Sequence, residues 1–104
     1  MLARSRLDVV VGRALGTVLM TVRGPLRKNT SQRFITSLRR ALREAPERVV
    51  VDLTGVTVLD DDGIVVLQEA KHTAEAEQVQ LVLTSKRREL LAAVDGLADD
   101  FTVV

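Results

Sequence analysis

Apolar residues along the chain come in short bursts whose spacing alternates between about two residues, as in a strand, and about 3.6, as in a helix. "LDVVVG" (Leu7–Gly12) and "TVLMTVRG" (Thr17–Gly24) are β-branched runs, and the intervening "RALG" ends in glycine and suits a hairpin loop. The chain is therefore predicted to open with an antiparallel pair. "GPLRKNTSQRF" then breaks the pattern. Asn29, Thr30 or Ser31 can cap a helix with Phe34, Ile35, Leu38, Ala41 and Leu42 on one side and Arg33, Arg39, Arg40 and Arg43 on the other, stopped by Pro46. "RVVVDL" is a nearly continuous apolar run ending at an acidic turn, as expected of a central strand buried on both faces.

After that turn, Gly63–Glu77 carries Leu67, Ala70 and Ala74 at helical spacing. "VQLVLTS" (Val79–Ser85) predicts another strand, "KRRELLAAVDGL" a short helix ended by Gly96, and "FTVV" a last, edge-like strand. The order is β, β, α, β, α, β, α, β, with no repeat or linker. Strands alternating with helices across short loops imply right-handed crossovers. The expected fold is a single α/β domain over residues 1–104: a β-hairpin followed by alternating α and β elements, forming a mostly parallel mixed sheet with helices packed on it.

Composition narrows what such a domain can do. Aromatic residues make up only 2% of the 104 residues, Phe34 and Phe101, so a base-stacking nucleic-acid surface is not expected. The absence of cysteine removes disulfides, thiolate metal sites and cysteine nucleophiles. No apolar run approaches the roughly 20 residues that span a bilayer, and Asp8 interrupts the apolar N-terminal stretch, which does not read as a signal peptide. A cytoplasmic location is expected. The net charge of +1 is unevenly spread: residues 1–48 hold 11 Lys or Arg against 3 Asp or Glu, and residues 49–104 hold 4 against 11. With so small an overall excess, the arginines of the first helix read as a solvated face rather than a nucleic-acid surface.

The chemistry-bearing candidates centre on Asp60, Asp61 and Asp62. "DLTG" (Asp52–Gly55) matches the Asp-x-x-Gly of GTPases, but no phosphate-cradling GxxxxGK[ST] accompanies it, so Asp52 is expected to bond to the backbone that follows it. Successive residues at a helix start project about 100° apart, so the aspartates do not converge on one metal ion. The only histidine, His72, lies in a polar helical stretch with no serine nucleophile near it in sequence. No catalytic residue, metal or cofactor is expected. A helix cap with acids in the first turn accounts for one or two of the aspartates, though not for the stretch as a whole.

"RVVVDLTGVTVLDDDGIVVLQEA" resembles the signature of the STAS domain family, found in sulfate-transporter C-terminal domains and bacterial anti-sigma-factor antagonists. That signature is an apolar strand, Asp-Leu, a short connection, and Asp-Ser-Ser-Gly opening a helix. "VRGPL", "VQLVLTS" and "ELLAAVDGLADDFTVV" extend the resemblance over nearly the whole chain. The resemblance implies a switch protein rather than an enzyme. In antagonists of the family, the first serine is phosphorylated by a partner that is both anti-sigma factor and serine kinase, and phosphorylation releases that partner. Here Asp61 stands at that position, with Asp60 before it, Asp62 in place of the second serine, and Gly63 as the helix-start glycine.

A carboxylate cannot take the usual phosphate ester, so modification there is not expected. Its charge of −1 only partly imitates the roughly −1.5 to −2 of phosphoserine. Along the second helix, Asp61, Val65, Gln68 and His72 share a face apart from the core side, with Ile64 expected inward. The candidate switch and partner-binding residues are Asp60, Asp61, Asp62, Gly63, Val65 and Gln68. The expected partner is a kinase-like anti-sigma factor or another regulator, with oligomeric state left open. Two other functions fit the same residues. One is a structural subunit of a larger stress-signalling or transporter-associated complex; the other is a small-molecule or nucleotide sensor using the loops around Gly24 and Asp60–Gly63.

Overall fold

The computed structural model describes residues 6–86 and the backbone of 101–103. The elements are β1 (Asp8–Ala14), β2 (Thr17–Leu26), α1 (Ser31–Leu42), β3 (Arg48–Leu59), α2 (Asp61–Ala76), β4 (Gln80–Ser85) and β5 (Phe101–Val103). They form a five-stranded sheet in the order β1-β2-β3-β4-β5, antiparallel between β1 and β2 and parallel elsewhere. The mixed sheet expected from the element order is therefore present, with β3 in its centre. The helix expected around "KRRELLAAVDGL" lies outside the described residues.

The hairpin is tighter than the sequence suggested. Arg13 and Ala14 pair with Val18 and Thr17, leaving Leu15 and Gly16 as the whole loop. Both have positive φ, 49° and 81°, the conformation of a two-residue turn whose twist matches the flanking strands. Glycine adopts it without strain, whereas leucine does so rarely.

β3 is longer than "RVVVDL" alone predicts, because "DLTG" is not a turn. Pairing with β2 continues from Thr17↔Arg48 to Leu26↔Leu59, and β3 gains one residue on β2 at each of two register shifts. Such bulges let a strand continue with a bend. At the first, Asp52 Oδ1 accepts a hydrogen bond from the Thr54 N–H at 2.9 Å, the backbone bond expected of Asp52. Burial along β3 alternates: Val49, Val51 and Leu53 are buried, Val50 and Asp52 half-buried. The expectation of a strand buried on both faces is corrected to one buried face and one partly covered one.

The buried face meets both helices. Phe34, Leu38, Ala41 and Leu42 of α1 join Leu67, Ala70 and Ala74 of α2 over Val18, Met20, Val22, Val49, Val51, Leu53 and Leu83. The apolar stripes read from helical spacing are the ones that pack, and Arg33, Arg39, Arg40 and Arg43 are exposed. Thr30 is the N-cap residue of α1, as the sequence allowed, but its side chain makes no capping bond to the helix. Its hydroxyl instead accepts from the Arg27 N–H at 2.9 Å and donates to the Pro25 carbonyl at 2.8 Å, closing the turn that leaves β2.

Candidate functional site

The start of α2 is held by two contacts of opposite kind. Asp60 is the N-cap, and its Oδ1 accepts a hydrogen bond from the Gly63 N–H at 2.8 Å, satisfying one of the donors a helix leaves unpaired. Gly63 lies against the end of β2: a Cβ there would stand 2.3 Å from the Leu26 carbonyl oxygen and 2.8 Å from Leu59 Cδ1. Only glycine lets the first turn come this close. Leu26 and Leu59 are themselves register partners, so the end of the β2–β3 ladder sets the position of α2. The sequence pattern marked Gly63 as a helix-start residue, but the carbonyl it packs against was not legible from spacing.

With the cap and the close contact in place, the remaining candidates fall on known sides of the helix. Asp61 and Asp62 are exposed in its first turn, where the positive end of the helix dipole favours carboxylates by about 0.3 to 1 kcal/mol each. Among the described residues neither forms an ion pair. Val65 is 47% exposed, Gln68 is half-buried and His72 exposed, so the face predicted from the four-three-four spacing is open to solvent. Ile64 packs against the core as expected, and Leu67, Ala70 and Ala74 are buried. Val58, two residues before Asp60 and 41% exposed, adds a second apolar residue beside the acidic turn that the sequence reading did not single out.

No group of three or more His, Cys, Asp or Glu side chains among the described residues is arranged to hold a metal ion. Asp52 sits back along β3 and does not join the acidic turn. The site is a negatively charged helix start, with exposed Val65 on the helix and exposed Val58 shortly before it. No helix among the described residues is long and apolar enough to cross a membrane.

The sequence matches the family model of the STAS domain over residues 8–99. The chain belongs to the STAS domain family. A comparison with curated protein sequences finds no match. Among solved structures, an anti-sigma factor antagonist from Mycobacterium paratuberculosis superposes with a TM-score of 0.81 at 17% identity, covering 99% of this chain and 89% of that one. SpoIIAA of Bacillus in its phosphorylated form gives a TM-score of 0.73 at 13% identity, covering 93% and 91%. Mglu gives 0.64 at 24% identity over 71% of this chain, which corresponds to only 18% of the Mglu chain. At these identities the likeness is one of fold. It places this STAS domain among structures that include anti-sigma factor antagonists, with the Asp60–Gly63 turn opening α2.

Proposed function

We propose that this STAS domain is an anti-sigma-factor-antagonist-like regulator that acts by protein–protein binding through the start of α2, without phosphorylation at the usual position. The carrying observation is the separation of roles within the acidic turn. Asp60 is occupied as the cap and Gly63 by the Leu26 carbonyl, which leaves Asp61 exposed and structurally unassigned. Asp61 is also the residue that the family resemblance aligns with the phosphorylated serine. The partner surface then covers Asp61, Asp62, Val65 and Gln68, in a bacterial partner-switching pathway with a kinase-like anti-sigma factor or a related regulator.

The charge of Asp61 acts in one of two directions. Against an acidic or apolar partner it imitates the released, phosphorylated state; against an Arg or Lys cluster it is an attractive contact. The substitution Asp61→Ser separates them. Ser suits a helix start about as well as Asp, so folding stability should shift by no more than about 1 kcal/mol. Affinity for the native partner, measured by titration calorimetry, should change by about 2 to 5 kcal/mol if the charge is buried on binding. Tighter binding identifies a standing imitation of the phosphorylated form and weaker binding an attractive contact. Unchanged affinity would leave Asp61 as part of the helix start alone and defeat the proposal.

A further inference from the structure

A second feature lies at the same end of the sheet but has the opposite charge. Arg23, Arg27 and Arg33 line one cleft of about 950 Å³. They reach it from three different elements: β2, the turn that follows it, and the first turn of α1. Arg33 therefore does not simply share the open arginine face with Arg39, Arg40 and Arg43; it contributes to a concave site. Among the described lining residues the only carboxylate is Asp8.

Two observations, the seating of Arg23 and the mixed lining, distinguish this cleft from a solvated basic surface. Its three arginines are not ion-paired among the described residues, as Arg39, Arg40 and Arg43 of the open face are not, but they line one concavity. Like charges gathered around one concavity repel each other, and a counter-anion relieves that repulsion. The Arg23 stem is seated over Gly55, where a Cβ would come within 2.8 Å of Arg23 Cγ, so the absence of a side chain at position 55 makes room for the arginine. The cleft also has an apolar side, Val9 and Val58, and a hydroxyl, Thr57.

We infer that this cleft binds a compact, phosphate-bearing small molecule. Guanidinium groups match the geometry of phosphate oxygens with paired hydrogen bonds, and three of them suit a group carrying two or more negative charges. The lining holds no aromatic ring among the described residues, so recognition rests on the anionic group rather than on base stacking. Asp60 begins the acidic turn two residues beyond Val58, so a long polyanion running past the cleft meets repulsion that a compact anion does not. The volume falls within the roughly 300 to 1,000 Å³ of small-molecule sites. The inference is independent of the partner-binding proposal, because it concerns the arginine cleft and not the face of α2.

Titration calorimetry of the intact chain with inorganic pyrophosphate, at about 150 mM salt to screen loose surface charge, tests it. The expected result is saturable binding at one site. Arg27→Gln and Arg33→Gln should each weaken it about tenfold or more, while Arg39→Gln on the open face of α1 changes it less than about twofold. Both cleft arginines are exposed, and circular dichroism of each variant checks that the fold is kept. No saturation by about 5 mM pyrophosphate, or equal weakening by Arg39→Gln, would overturn the inference. So would binding to phosphoinositide-containing vesicles or to RNA without binding to pyrophosphate, since the ligand would then be a surface or a polymer.

Discussion

Gly63 shows how much one residue's missing side chain can carry. The Leu26 carbonyl lies where its Cβ would be, and a backbone atom in a paired strand cannot swing aside as a flexible side chain does. Gly63→Ala should therefore cost about 2 kcal/mol or more, even though alanine is the better helix former by about 1 kcal/mol. Urea unfolding of the purified variant measures it, and a neutral or stabilising result would mean that α2 shifts freely on the ladder. Asp61, two positions earlier, has no comparable neighbour, so its replacement is expected to act on binding rather than on folding. The sequence pattern marked both residues, yet their different tasks depend on a neighbour 37 residues away in the chain, Leu26 against Gly63.

At the scale of elements, the hairpin between β1 and β2 is closed by a turn that its own sequence suits only at Gly16. Leu15 sits at φ 49° with its side chain 101% exposed, so it bears the cost of a left-handed backbone without burial to offset it. Leu15→Asn should raise stability by about 0.5 to 1 kcal/mol, because asparagine visits this region readily; a shift in the urea midpoint checks it. The next residues back tie the hairpin to α1. Arg13 Nε donates to Glu44 Oε1 at 2.6 Å and its Nη2 to Oε2, a two-pronged pair between β1 and the turn that follows α1.

The hydrogen bonds from Arg13 hold the Glu44 carboxyl below its usual pKa. A carboxyl with a lower pKa in the folded than in the unfolded chain stabilises above its unfolded value, and the contribution is lost as pH falls through the folded one. Both side chains are well exposed, so the pair's effect is small and screened by salt. The stability difference between the native chain and Glu44→Gln should accordingly be present at neutral pH and low salt. It should disappear once the pH drops below the depressed pKa, and unfolding curves at the two pH values read it directly.

For the whole molecule, charge is divided along the chain, 11 basic against 3 acidic residues up to position 48 and 4 against 11 beyond it. Among the described residues the arginine cleft and the acidic turn lie at the same end of one sheet, so positive and negative charge alternate there. Fluorescence anisotropy with duplex DNA at about 150 mM salt should show no binding, and binding with a steep salt dependence would show that the exposed arginines of α1 act as a phosphate-contacting surface.

The sequence by itself determined the order of the described elements, the two amphipathic helix faces, the glycine at the helix start and the membership of the acidic turn in the STAS pattern. These rest on local periodicity and on motifs, which neighbouring residues in the chain carry. Tertiary structure decided what depends on pairing between distant segments. The continuation of β3 through "DLTG" needs β2 alongside it; the hydroxyl of Thr30 is drawn from its expected helix cap to the end of β2; and the need for glycine at position 63 comes from a carbonyl on another strand. The gathering of Arg23, Arg27 and Arg33 around one cleft was equally invisible in the chain, since a turn and two differently spaced elements deliver them and no single periodicity contains all three.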